Sequence, residues 1–398
     1  MFARIYRRPW VKRWLRIFLS LLLVFIIIIV SCVAYIEIQR HQVRVLLAPT
    51  GTSAVGRREY DWTDQARIDP LALHAGMKRE LVVWSWYPAE HVAGAQTAPY
   101  LPPAWAQASD NAIVQSSDAL QTHSVDRAPL ATGAARYPVL IFEPGMGKMP
   151  TQYTTLLEDL ASHGYIIFAI TPTYSSNIVV FPDGRQAPST PAGSVEAAAN
   201  LQAAGNQLIP VWAQDITFVM DQLTRLNTLP GDIFSQHLDL TRLGVFGHSF
   251  GGAAAAQACH LDARCKAGID LDGDFFGNVV QTGLDKPFMV IEHDEGSCSD
   301  VDCHSFQTEI RSVLRTVPPD ARYHISVKDT EHFNFSDYAV YFSLFRFFGV
   351  LGSIDGVRGV KVTRTYIRAF FDTHLNNHPS PLLHGPVKEY PEVQFSSF

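Results

Sequence analysis

The run Leu243-Gly244-Val245-Phe246-Gly247-His248-Ser249-Phe250-Gly251-Gly252-Ala253-Ala254 sets a serine between two glycines, G-x-S-x-G, after a short apolar stretch and before a series of small residues. A strand, a sharp turn and a helix in that succession form a nucleophile elbow, which lifts the serine hydroxyl clear of a sheet so that it can attack a carbonyl carbon. The turn is so tight that the positions two before and two after the serine must be nearly without side chains, and Gly247 and Gly251 meet that demand. With 26 Gly in 398 residues the bare motif arises by chance in roughly one such chain in ten, so the strand and helix around it carry the assignment.

A serine needs a base, and the base needs an orienting acid. Behind an elbow of this kind they follow in the order serine, acid, histidine. Cys265-Lys266-Ala267-Gly268-Ile269-Asp270-Leu271-Asp272-Gly273 reads as the next core strand, ending in an acidic turn at the carboxyl edge of a sheet, where open α/β sheets hold their ligands. Tyr323 to Lys328 alternates as a further strand and leads into Asp329-Thr330-Glu331-His332-Phe333-Asn334-Phe335-Ser336-Asp337, which makes His332 the candidate base. The acid has a rival. Lys286 to Ile291 reads as the strand after, and an acid placed behind it would be Asp294; Asp270 and Asp274 crowd the first candidate, and alternation puts Asp270 and Asp272 on one face.

Four segments resemble the plasma-type platelet-activating factor acetylhydrolase family and its bacterial relatives, serine esterases of the α/β-hydrolase fold. They are Val139-Leu140-Ile141-Phe142-Glu143-Pro144-Gly145-Met146-Gly147, the Gly247 to Gly252 elbow, Gly268-Ile269-Asp270-Leu271-Asp272-Gly273, and His332-Phe333-Asn334-Phe335-Ser336-Asp337. Gly164 to Ile167, Val180 to Arg185, Pro49 to Gly51 and Val55 to Arg57 are similar too, so the likeness spans about residues 48–375. The elbow is common to many hydrolases; the acidic strand and the His-Phe-Asn-Phe-Ser-Asp segment are more specific. The resemblance implies Ser249 as nucleophile, Asp272 as acid, His332 as base, and the backbone amides of Met146 and Phe250 as oxyanion hole. It implies an ester substrate, a phospholipid or a small ester, with short or modified acyl chains. This chain departs from the family in having Pro144-Gly145 where many relatives have His-Gly; the Met146 amide survives that change.

The coarse pattern supports an α/β fold with a mostly parallel sheet covered by helices on both faces. Strands are expected near 80–88, 138–143, 165–170, 243–247, 266–271, 287–292 and 322–328. Helices are expected near 151–163, 210–226, 250–260, 304–316, 336–349 and 358–375. Residues 89–136 and 174–206, rich in Ala, Pro, Gln, Ser and Thr, read as long loops, the second bordering the acyl pocket.

Arg4, Arg7, Arg8, Lys12, Arg13 and Arg16 precede Ile17 to Ile36, which carries no charge until the glutamate that follows it. At 1.5 Å per residue, about twenty residues cross a bilayer of about 30 Å. Residues 1–16 are therefore expected as a basic cytoplasmic N-terminus, 17–36 as a transmembrane signal-anchor helix, and 45–398 as the catalytic domain on the periplasmic or extracellular side, because the basic end stays inside. A cleaved signal peptide would have a shorter apolar core and an A-x-A-like site; Ile29-Val30-Ser31-Cys32 loosely resembles a lipoprotein cleavage box.

Setting aside the six N-terminal basic residues, 26 Lys and Arg face 38 Asp and Glu, a charge of about −12 that disfavours nucleic acid as a partner. Apart from Cys32, Cys259 and Cys265 could pair, as could Cys298 and Cys303, in an oxidising compartment. His248, His293, His304 and His324 share no ligand spacing; packing or surface roles are expected, and no metal or cofactor is called for. The stripe Phe335, Tyr338, Tyr341, Phe342, Phe345, Phe347 and Phe348 reads first as core. Asn334-Phe335-Ser336 is a glycosylation sequon expected to stay unused beside His332. Three function classes follow: a membrane-anchored serine esterase, a cutinase- or polyester-hydrolase-like enzyme that would favour Asp294, and a catalytically silent hydrolase scaffold used for binding.

Overall fold

The computed structural model describes residues 9–40, 44–115, 117, 120–294 and 301–396. The Cys298 to Cys303 pairing and the first eight residues, with Arg4, Arg7 and Arg8, lie outside them or rest on side chains that are not described. Ten strands form one sheet: β1 (Ala54–Ile68), β2 (Lys78–Ala89), β3 (Ser124–Asp126), β4 (Tyr137–Glu143), β5 (Ile166–Thr171), β6 (Leu238–His248), β7 (Ala267–Leu271), β8 (Phe288–His293), β9 (Arg322–Val327) and β10 (Val393–Phe395). Their order across the sheet is β10-β9-β8-β7-β6-β4-β5-β2-β1-β3.

The six strands from β5 to β9 in that order run parallel. The β1–β2 hairpin, antiparallel to β5, with β3 parallel to β1 at its outer side, forms one end, and the short antiparallel β10 forms the other. Parallel strands require crossovers, and the crossovers are the helices. Helices α2 (Thr154–Ser162), α3 (Leu201–Leu226), α4 (Phe250–Leu261), α5 (Val301–Leu314) and α6 (Gly356–Asn376) cover the sheet. Alternation along β6 shows both faces packed: a Cβ on Gly244 would meet Phe371 and Leu375 of α6, whereas one on Gly247 would meet Gly251 of α4. The strands β4, β5 and β7 are accordingly buried along their whole length, as strands covered on both faces must be.

All seven expected strands are present. The three that periodicity did not reveal are β1, β3 and β10, which lie towards the edges. The helix expected from Pro210 begins at Leu201 instead, with Asn200 capping the Ala203 amide at 2.8 Å and Pro210 inside it. The helix expected over 336–349 is not continuous: Tyr338–Tyr341 is one turn, Phe342 leaves the helical region (φ −123°, ψ 43°), and Ser343–Phe348 is a 3-10 segment ending at Gly349 with φ 69°. Nor is its aromatic stripe all core, since Phe347 and Phe348 are 82% and 77% exposed. The two loop regions carry structure of their own, including β3 and a hairpin of Ile178–Val180 with Gln186–Pro188.

Cys259 and Cys265 form a disulfide that ties the end of α4 to the start of β7. Helix α1 (Pro9–Arg40) includes the window Lys12–Ser31, mean hydropathy 2.7 and unburied, which by length and composition suffices to cross a membrane, a property that signal sequences share.

Candidate active site

Ser249 stands between β6 and α4 with φ 55° and ψ −127°, a left-handed conformation that a residue with a side chain adopts only when its surroundings force it. The forcing groups are visible. The Ser249 amide donates to the Leu271 carbonyl at 2.8 Å, and a Cβ on Gly247 or Gly251 would overlap the Gly251 or Glu143 carbonyl, so both glycines are steric requirements of the turn.

At the end of the neighbouring strand β7, Asp272 also has a positive φ, 61°. Its amide donates to Ile291 of β8 at 2.8 Å. This twist separates it from Asp270, with which simple alternation had grouped it. Asp270 stays beneath α4 against Gly252, where burial and the charges of Asp272 and Asp274 push its carboxyl well above the usual range. Asp272 instead faces His332, whose Nδ1 lies 2.6 Å from Oδ2. Burial alone would raise the Asp272 carboxyl, but hydrogen bonds from His293 and His332 outweigh it and hold the group well below the carboxylate range. The rival acid is elsewhere: Asp294 Oδ2 accepts from the Asp329 amide at 3.2 Å.

An ionised Asp272 fixes the tautomer of His332, since Nδ1 must carry the proton that it donates and Nε2 is left with the lone pair. The imidazole is 37% exposed and packs on the His248 ring, 4.5 Å between centroids. His248 is completely buried, and burial together with the charge of His332 lowers its pKa to about 3. Its Nε2 lies 2.9 Å from the His332 carbonyl, which can only accept, so Nε2 carries the single proton. Nδ1 then accepts from the Tyr153 hydroxyl at 2.8 Å, and that hydroxyl accepts from the Gly145 amide at 3.1 Å. The His332 segment and the loop after β4 are thus linked through the elbow's own histidine.

The Gly145 amide being used in this way, the next one, of Met146, donates to no protein group among the described residues. Phe250 opens α4, so its amide has no partner one turn back in the helix. The Met146 loop is held from the 174–206 region: Gly147 donates to Ser175, Asn177 donates to Gly147, and the Val195 amide contacts Met146 Sδ at 3.2 Å.

A profile of the family described as "Platelet-activating factor acetylhydrolase, isoform II" matches residues 86–186 and 224–380. The chain belongs to that family. A probable 1-alkyl-2-acetylglycerophosphocholine esterase of Arthroderma benhamiae is 26% identical over 388 residues, covering 88% of this chain and 93% of the relative. The platelet-activating factor acetylhydrolase of Canis lupus familiaris is 24% identical over 62% of this chain and 59% of its own length. Among solved structures, a ferulic acid esterase from Streptomyces cinnamoneus superposes with a TM-score of 0.75 at 30% identity, covering 89% of this chain and all of that one. The protein is a carboxylic ester hydrolase of the acetylhydrolase family, class EC 3.1.1.

Three side chains of this acetylhydrolase-family site were not singled out for a role by sequence reading. His293, expected in packing or at the surface, bonds Asp272; its position at the carboxyl end of a core strand beside the acidic strand is the available signal. Tyr153 gave no signal, because its partner lies 95 residues away. Lys148 follows the Met146 loop, and its ammonium rests on Phe333 and Tyr338 at 4.5 and 5.0 Å, where burial lowers its pKa. The Asn334 sequon is closed by the fold: Asn334 is buried, and its side-chain carbonyl accepts from the Glu331 and Gly352 amides.

The His332 segment is anchored by Asp337, whose amide donates to Gln152 and whose carboxyl meets the Thr155 amide at 3.2 Å and Tyr100 Oη at 3.1 Å. Burial raises its pKa to about 7. The folded chain thus keeps a proton up to about pH 7 that the unfolded chain releases near 3.8, so this group makes stability fall as pH rises between those values. Asp337→Asn, which keeps a neutral group there, should show a smaller fall in melting temperature between pH 5 and pH 8 than the unaltered protein. Parallel melting curves for the two proteins would contradict a neutral Asp337.

Proposed function

We propose that this chain is a membrane-anchored serine esterase in which Ser249 is the nucleophile, His332 the base and Asp272 the acid. The observation that carries the reading is the buried Asp272 carboxylate bonded to His332 Nδ1, at the same sheet edge as the strained Ser249 elbow. His332 Nε2 takes the hydroxyl proton as Ser249 Oγ bonds to the ester carbonyl carbon, and Asp272 stabilises the imidazolium. The amides of Met146 and Phe250 receive the developing oxyanion, each worth about 3 kcal/mol. On collapse the C–O bond to the alcohol breaks, and the alkoxide takes the proton from His332. Water, deprotonated by the same ring, then releases the acid and frees Ser249.

The substrate class follows from the family: short or modified acyl esters, phospholipid-like or small. The Lys148 ammonium, two residues after Met146 and over the Phe333 ring, suits a substrate that carries an anionic phosphate. A polyester-hydrolase-like reading would favour Asp294, whose carboxylate is engaged with the Asp329 amide. In the membrane reading, residues 17–36 anchor and residues 45–398 form the exported catalytic domain; the exposed apolar surface of α1 and the Cys259–Cys265 disulfide support it.

Ser249→Ala should lower kcat for an acetyl ester at least about 1000-fold, and Asp272→Asn on the order of 10⁴-fold, with Asp294→Asn near normal. The reverse ranking of the two aspartates would reassign the acid. Full-length protein should stay with membranes through high-salt and carbonate washing, because buried apolar length outweighs the charge attraction that salt removes. Release of the unprocessed chain by carbonate would contradict the anchor.

A further inference from the structure

Asp272 holds two imidazoles, and only one of them has a part in the reaction as written. His293 lies at the end of β8, the strand next to β7, with Leu271 and Ile291 in register. The ladder then continues into the acid: the Asp272 amide donates to the Ile291 carbonyl, and the His293 amide returns to Asp272 Oδ1 at 2.8 Å. The His293 ring adds Nδ1, 2.7 Å from Oδ1 and 2.9 Å from Oδ2. His332 Nδ1 approaches only Oδ2, at 2.6 Å.

The geometry points to His293 as a positioning residue of the esterase reaction, one that pins the Asp272 carboxylate so that Oδ2 stays directed at His332. The inference rests on the Ser249, His332 and Asp272 reading above.

Two physical reasons support it. The terminal torsion of an aspartate is broad and roughly twofold, so a carboxylate held by His332 alone could turn and lose the in-plane bond that fixes the His332 tautomer. A second donor set on the strand side removes that freedom. A carboxylate whose side chain is 3% exposed also needs several donors to stay ionised. The His293 amide comes with the strand, but a β8 residue without a ring donor would leave Oδ1 with that amide alone.

A residue that orients a catalytic group through a hydrogen bond changes turnover more than binding; where such outer partners have been removed in metal sites the loss is typically about 10- to 100-fold. His293→Leu keeps much of the ring's bulk and deletes the donor. His293→Asn places an amide N–H where Nδ1 was, and His293→Gln carries it one bond further out, at the Nε2 position. The test measures kcat, KM and melting temperature for these three variants, with Asp272→Asn alongside. His293→Leu and His293→Gln are expected to lose about tenfold or more in kcat with KM within about twofold, and His293→Asn to recover most of the loss. If His293→Leu does not fold, the contrast between Asn and Gln still decides. Unchanged kcat in His293→Leu or His293→Gln beside an inactive Asp272→Asn would overturn the positioning role and leave the acid assignment standing. Equal impairment of Asn, Gln and Leu would assign the ring to packing. An active Asp272→Asn would overturn the acid assignment itself, and the role of His293 with it.

Discussion

A carboxylate taken out of water stays ionised only where donors replace the water, and Asp272 is 7% exposed. Its donors come from two elements, the end of β8 and the segment after β9, and the strand order places those ends side by side. The central parallel sheet is what makes this possible. Three adjacent strands end at one edge, β6 just before Ser249, β7 just before Asp272 and β8 at His293, and backbone bonds from the Ser249 amide to Leu271 and from the Asp272 amide to Ile291 lock the three ends together. Positive φ at both Ser249 and Asp272 is the local cost of turning side chains outward at that edge, about 1–3 kcal/mol each.

His332, the proposed base, arrives from farther away, and other bonds hold it. His248 is neutral, buried and singly protonated, and it joins Tyr153, the Gly145 amide and the His332 carbonyl in one chain of hydrogen bonds. Asp337 fastens the same segment to Gln152 and Thr155, on the turn that follows the Met146 loop. The loop proposed to receive the oxyanion and the loop bearing His332 are therefore tied to each other as well as to the elbow, which is the preorganisation that acyl transfer requires. Pro144 stands next to Gly145, and the loop takes its orientation from Tyr153 and from Ser175 to Asn177.

Much of this was legible in the sequence because short-range chemistry wrote it. The elbow needs two glycines at fixed offsets, and fully buried strands are apolar runs. The acidic turn and His332 follow in an order that the fold imposes. The edges were not legible: β1 mixes buried and exposed residues over fifteen positions, and β3 and β10 span three residues each. Nor could alternation separate Asp270 from Asp272, because the difference lies in a single left-handed residue. The aromatic run from Phe335 to Phe348 satisfied a helical pattern, yet it breaks at Phe342. The roles of His293, Tyr153 and His248 depend on partners 21, 95 and 84 residues away and exist only in the folded chain.

The proposed activation of Ser249 by its surroundings is tested most directly by covalent labelling. The purified protein would be treated with a fluorophosphonate, digested, and its modified peptide sequenced by mass spectrometry. One adduct is expected, on Ser249, forming as esterase activity is lost and much more slowly in Asp272→Asn. An adduct on a different serine, or full inactivation with Ser249 unmodified, would contradict it.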